Sequence, residues 1–354
     1  MADLTVRARR ASGRVLIITD KPGWSYDTIA KGLIRYNDNP GLVLDVAAAS
    51  EQMAFIEREH HRYDLVFPLG WTQIIAKKKK HLYQPLLPFL DRRKLITGIH
   101  SHRSWDGYAS MPDVLSMPPP ALLERLSMLK GINIISRRLY GIFEDAGLTN
   151  IVLTENGVDT ELFCPSAPVN TDRRAPLVVG FSGSKDIAKH DFLKGFSEFI
   201  EPLGAVPNVR IKVLGGRGAQ QVQREAMPAL YNQIDLYLCA STSEGFSQSV
   251  LEASACGRGV LSTRVGGCED LIEAGCNGYF IRRNLDEIKA LIGRLEADRP
   301  LVRRLGENNR RIVAERYAWR RKVNDWLGFI ESHLPVRDVM HSADDSCALS
   351  AAAR

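Results

Sequence analysis

The chain has 354 residues, 45% hydrophobic and 25% charged, with 28 Gly and 17 Pro; this excludes a disordered or collagen-like chain and, at roughly 150 residues per domain, predicts two domains. Its 47 Lys and Arg exceed its 41 Asp and Glu by six charges, a mild surplus that suits an anionic partner without selecting nucleic acid, anionic lipid or a phosphorylated small molecule. The six Cys show no C-x-x-C spacing, which argues against a zinc site or a disulfide framework and fits small buried residues in a reducing cytoplasm. Arg7, Arg9 and Arg10 precede only a strand-length apolar run, and no run approaches the ~20 residues of a membrane helix. The expected location is the cytoplasm, with a peripheral place on the inner membrane face left open.

In chain order, Val15–Thr19, Leu42–Val46, Leu65–Leu69, Leu95–Ile99, Ile132–Ser136 and Ile151–Thr154 are predicted strands. Helical patterns separate them at Tyr26–Tyr36, Gln52–His61, Ala121–Lys130 and Arg137–Ala146. Short apolar runs bounded by polar turns fit strands covered on both faces, hence a parallel, doubly wound α/β sheet. The pattern restarts after a polar linker at 166–176, with strands at Leu177–Phe181, Val209–Leu214, Leu236–Ala240, Val260–Thr263 and Gly278–Ile281. Helices are predicted at Phe192–Pro202, Gln248–Cys256, Glu269–Ala274 and Leu285–Glu296. Expected domains are therefore 1–165 and 177–318. A last helix at 319–334, with Trp319, Val323, Trp326, Leu327 and Ile330 on one stripe, is long enough to cross back over the first domain. A Ser-, Asp- and Ala-rich tail at 335–354 reads as disordered.

The most informative stretch is Ser241–Gly257, where Glu244 and Glu252 are separated by seven residues. It follows a strand, turns at Gly245 and enters a helix near Gln248, which leaves free amides of Phe246, Ser247, Gln248 and Ser249 at a helix start, a ready anion site. The two carboxylates can reach different parts of one ligand, and each is suited to vicinal hydroxyls. The plainer reading, in which Glu244 caps the helix and Glu252 is a surface acid, stands beside it.

This stretch, with Gly259–Ile272 and Asn277–Ile281, closely resembles the donor-binding half of retaining glycosyltransferases of family 4. Asn156–Phe163 at the domain junction, Val179–Gly183 and Leu193–Phe196 follow in that family's order. The resemblance is specific from about residue 150 to 282 and weaker before it. It implies the GT-B fold, two Rossmann-like domains facing a central cleft, and a nucleotide-diphosphate-sugar donor whose sugar passes to a hydroxyl acceptor with retention. Carried over by position, it implies that Glu252 binds the ribose and Glu244 the donor sugar. It places the amides of Gly245–Ser249 on the sugar and diphosphate, Gly183 at the opening of the donor domain, and Arg224 within the segment that brackets the base. Lys194 matches the family's diphosphate Lys. The usual Arg is blurred, leaving Lys185 as second cation and Lys189 as rival. His100, ending a buried strand, resembles the His near the donor's anomeric centre. Gly23 and Trp24 occupy the place of the acceptor loop, which departs from the family's paired glycines.

The loop Leu214–Gly218 lacks the third Gly of a dinucleotide fingerprint, which disfavours a dehydrogenase. No two Asp stand two apart, so the D-x-D device that holds a metal under a diphosphate is missing; transfer with no metal or other cofactor is the expectation. Lys77–Lys80 and Arg92–Lys94 flank Leu82, Tyr83, Leu86, Leu87 and Phe89. They read either as an anionic-membrane face for a lipid-linked acceptor or as four lysines closing a helix. Two other functions share the features: a nucleotide-sugar 2-epimerase of the same fold, and a non-catalytic nucleotide-sugar-binding module. Nucleic acid is not an expected partner.

Overall fold

A computed structural model describes residues 11–79, 82–101, 105, 111–112, 116–183, 188–215 and 222–336. The first domain runs β1 (Gly13–Thr19), α1 (Ser25–Tyr36), β2 (Leu42–Ala48), α2 (Ala49–Glu59), β3 (Leu65–Pro68), β4 (Ile75–Lys79), β5 (Leu82–Pro85), β6 (Ile96–Ile99), α3 (Pro120–Ser127), β7 (Gly131–Ile134), α4 (Arg137–Asp145) and β8 (Ile151–Leu153). Its parallel strands lie in the orders β2-β1-β3 and β6-β7-β8, and a parallel bridge from Val66 to Leu95 joins the two sets. Val15, Leu16, Ile17 and Ile18 are fully buried, as expected of a central strand covered by helices on both faces.

The second domain runs β9 (Leu177–Ser182), α5 (Ala188–Lys194), β10 (Val209–Leu214), α6 (Met227–Tyr231), β11 (Leu236–Cys239), α7 (Gln248–Ala255), β12 (Gly259–Ser262), α8 (Cys268–Leu271), β13 (Gly278–Phe280), α9 (Leu285–Ala297) and α10 (Arg299–Arg316). The sheet is β10-β9-β11-β12-β13, parallel throughout. In both domains the chain starts in the middle and reverses direction between the first and third strands. A sheet wound this way opens a crevice at the carboxyl ends of those strands, which puts the loops after β9 and β11 at the site.

Helix α11 (Trp319–Ser332) returns to the first domain. The Trp319 amide donates to the Val158 carbonyl at 3.0 Å, the Trp326 indole N–H to the Glu155 carbonyl at 3.0 Å, and Lys322 pairs with Glu155 at 2.6 Å. A Cβ at Gly32 or Gly157 would sit 2.5 or 2.6 Å from the Trp319 ring, so those glycines permit the close approach of the helix.

Three elements differ from the sequence expectation. Lys77–Lys80 does not close a helix: Ile75–Lys79 pairs antiparallel with Leu82–Pro85, while Lys80 lies outside the described residues. Hairpin pairing satisfies the backbone there, buries Tyr83 and leaves Leu82 and Leu86 exposed. Lys77 donates to the Trp105 carbonyl at 3.2 Å, so that part of the charge run has a structural partner. Second, the single helix expected over Phe192–Pro202 is broken. Gly195 takes φ 67°, ending α5 at Lys194, and a short π-helical turn follows at Phe196–Ile200. Third, the 18-residue helix α10 occupies a stretch for which no helix was expected. Only the first two residues of the 335–354 tail are among those described.

Candidate functional site

Glu244 lies in the loop leaving β11, and its carboxylate is held by Lys194 and Ser241, among others. Lys194 pairs with Oε1, and Ser241 Oγ donates to the same oxygen at 2.8 Å. Three bonds stitch the end of α5 to this loop. The Thr242 amide donates to the Leu193 carbonyl at 2.8 Å. The Arg283 guanidinium donates to the carbonyls of Ala240 at 2.6 Å and Phe192 at 2.8 Å. Because Gly195 turns the chain away directly after Lys194, the lysine head stays at the loop. Sequence reasoning missed Ser241 and Arg283; they sit 3 and 43 residues from the atoms they serve, and only the Ser241 spacing carried a local signal.

Glu252 is buried one turn inside α7. Arg224 donates to its Oε1 at 2.5 Å and the Tyr231 hydroxyl to its Oε2 at 2.9 Å. Arg224 also lies over the Phe163 ring, 4.8 Å from its centroid. Burial raises the Glu252 pKa, while the Arg224 charge and the Tyr231 and Arg224 hydrogen bonds oppose the rise. The two acids are thus not equivalent: one is paired with a flexible ammonium, the other locked between a stacked guanidinium and a buried phenol. Tyr231, at the end of the segment that starts with Arg224, was not assigned from sequence.

Between the acids, Gly245 and Phe246 make the turn, and Ser247 is the N-cap of α7; its hydroxyl makes no capping bond and lies 3.5 Å from the Ser249 hydroxyl. Glycines from the next loop press on this turn. A Cβ at Gly266 would lie 2.0 Å from the Gly245 carbonyl oxygen, and one at Gly267 2.0 Å from the Phe246 ring. Gly183 leaves β9 beside this edge, and its own Cβ position is filled by the Phe181 ring at 2.7 Å. Lys185 lies outside the described residues. Among the described residues no group of three or more His, Cys, Asp or Glu side chains is placed to hold a metal ion.

The first domain closes on this turn. A Cβ at Gly245 would lie 1.8 Å from the His100 carbonyl oxygen, and Gln248 donates to the Gly157 carbonyl at 3.0 Å. His100 therefore meets the second domain through its backbone. Its ring packs into the first domain, 5.0 Å from Tyr26 and 6.1 Å from Trp326, with a buried Nε2 that has no partner among the described residues. Burial lowers its pKa to about 3, so the ring is neutral at physiological pH. In an NMR titration its ring C–H signals are expected to stay fixed between pH 5 and 8; a midpoint inside that range would place the ring in water. Gly23, at φ 76°, donates its amide to Asp27 at 2.8 Å. Trp24 is the N-cap residue of α1, is 48% exposed and has the Lys21 ammonium 5.5 Å above its ring. It is thus a half-exposed aromatic ring on the first domain with a cation on one face.

Residues 217–312 match the family described as glycosyl transferases group 1. Spore coat protein SA of Bacillus subtilis is 27% identical over 160 residues, 44% of this chain and 41% of that protein. A D-inositol 3-phosphate glycosyltransferase of Salinispora tropica is 26% identical over 228 residues, 52% of this chain and 46% of that protein. The chain thus spans less than half the length of these curated relatives. Among solved structures, Anabaena HepE in complex with UDP and glucose superposes with a TM-score of 0.67 at 17% identity, covering 90% of this chain and all of that one. At that identity the likeness speaks for the fold, which is GT-B.

Proposed function

We propose that this chain, a GT-B protein with a glycosyl transferases group 1 segment at residues 217–312, is a retaining glycosyltransferase that uses a nucleotide-diphosphate sugar and no metal. The observation that carries the reading is the pair of pre-bonded carboxylates flanking the start of α7. Glu252, fixed by Arg224 and Tyr231, would accept from a ribose diol. Glu244 would take hydroxyls of the donor sugar, with Lys194 beside it and the amides of Gly245–Ser249 facing the diphosphate. As the anomeric bond breaks, negative charge grows on the leaving diphosphate. A cation and preorganised N–H groups at that point lower the barrier without a metal ion. Arg224 would sit toward the base, and His100 would form the first-domain wall opposite the turn.

The nucleotide-bound relatives support a donor of this class: HepE is described with UDP and with UDP-glucose. The acceptor, a hydroxyl compound, would enter past Gly23 and Trp24. A lipid-linked one would lie along the hairpin face where Leu82 and Leu86 are exposed. A 2-epimerase would release nucleotide without acceptor, whereas the transferase releases it only when acceptor is supplied.

The Glu252 carboxylate gives the test. It must be ionised to accept two ribose hydroxyls, and burial raises its pKa. Nucleotide affinity should therefore fall on acidification at a pH above the ordinary carboxylate value of about 4.3. Stability moves the other way. A raised folded-state pKa contributes stability that is complete below the unfolded value and lost as pH rises through the folded one, so the loss of affinity is not unfolding. Titration of UDP, GDP and ADP against pH is expected to show this acid limb in the wild type. Glu252→Gln, which keeps the side-chain shape, should show weak binding with no limb. Equal affinity of both proteins at every pH would remove Glu252 from the donor site.

A further inference from the structure

We propose that a second cavity, at the domain seam, binds a sugar bearing an anionic group, phosphate or carboxylate; this rests on the transferase reading only in treating that sugar as part of the acceptor. The cavity has a volume of about 760 Å³, within the range of pockets that enclose small organic ligands. Its walls come from the exits of β12 and β13, from α5 and the turn after it, and from the start of α9, whereas the paired carboxylates stand on the loop after β11 and on α7.

Its chemistry is that of a carbohydrate site with a charge to read. Phe192 on its wall is 47% exposed, and the Phe280 ring carries the Arg264 guanidinium 4.1 Å from its centroid. Flat aromatic faces take the apolar side of a sugar ring, and a guanidinium fork takes phosphate or carboxylate through two parallel N–H bonds. Three arginines line the cavity against two glutamates. Arg283 is spent on carbonyls and on Glu198, 3.3 Å away. Arg282 stands 3.7 Å from Glu287, both side chains more than half exposed, a pairing worth little in water. Arg264 is exposed and holds no carboxylate among the described residues. One positive charge is therefore left over, on an aromatic platform.

The walls come from both domains and are tied together. Arg138 of α4 donates to the Arg264 carbonyl at 3.0 Å, to the Glu269 carboxylate at 2.9 Å and to the Pro112 carbonyl. Its side chain is only 12% exposed. A ligand seated there would touch both domains in the closed arrangement.

The test titrates the full chain with glucose 6-phosphate, glucuronate, glucose and inorganic phosphate, read by saturation-transfer NMR and calorimetry, with UDP as a separate arm. The expected result is saturable binding of glucose 6-phosphate, glucuronate or both, with glucose and inorganic phosphate each weaker by about tenfold or more. Which anionic sugar binds decides between phosphate and carboxylate. The double variant Arg264→Gln, Arg282→Gln should lose that binding by a similar factor and keep UDP affinity. The proposal is overturned if neither anionic sugar binds, if glucose or inorganic phosphate binds as tightly, or if the double variant binds like the wild type. Failure of UDP to bind the wild type would instead sink the donor reading and leave the sugar arm to be read by itself.

Discussion

Gly245→Ala is expected to cut transfer by about 100-fold or more while leaving nucleotide binding near the wild-type level. The added Cβ would stand 1.8 Å from the His100 carbonyl oxygen and 2.6 Å from its carbon, both backbone atoms that no rotamer change can move. Retreat is blocked from below, because the Gly245 carbonyl accepts from the Gly267 amide at 2.9 Å and Gly266 packs directly beneath it. The domains must therefore part at the turn. A displacement of about 1 Å between reacting groups is enough to cost about 100-fold. Arg224, Tyr231, Glu252 and Lys194 all belong to the second domain and stay in place, so UDP titration should change little. The split between kcat and nucleotide affinity is the measurement. Unchanged kcat would mean that the working enzyme does not close at Gly245.

Lys194→Ala should lower kcat by about 100- to 1000-fold, the range found when one preorganised group facing developing negative charge is removed. The Lys194 side chain reaches solvent at the end of α5 and is not part of either apolar core, so the fold should persist. Glu244 keeps the Ser241 hydroxyl but loses the Lys194 ammonium. The expected signature is a fall in kcat that exceeds the fall in nucleotide affinity, because the ammonium matters most once the anomeric bond is breaking. A variant with normal kcat would reduce Lys194 to a partner that merely holds Glu244.

Much of the fold was legible because its strands are continuous apolar runs, and both sheets sit where those runs were read. What escaped has identifiable physical causes. Helix α10 hid because two polar side chains interrupt an inner face otherwise built from Val302, Leu305, Ile312 and Val313. Arg299 and Asn309 are fully buried, and Asn309 donates to the carbonyls of Arg258 and Asn277, so the apolar period breaks where the helix packs best. The β4–β5 hairpin hid because four consecutive lysines carry no alternation. At the site, Glu244 and Glu252 could be read because their seven-residue spacing is local to one turn and one helix. Tyr231 and Arg283 could not, since their partners are set by long-range sheet order. His100 was legible as a strand-end residue, yet its environment was not: that Tyr26 and Trp326 enclose its ring follows from α11 crossing back from the end of the chain.

Whether a nucleotide sugar binds at Glu252 without metal is read most directly by thermal unfolding with a panel of UDP-, GDP-, ADP- and CMP-sugars in EDTA. Ligand at about 100 times its dissociation constant stabilises the folded state by about 2.7 kcal/mol, a shift readily seen. Nucleotide sugars of one base should raise the unfolding temperature of the wild type without metal, and Glu252→Gln should lose the shift. No shift with any of them, or the same shift in Glu252→Gln, would contradict donor binding at Glu252.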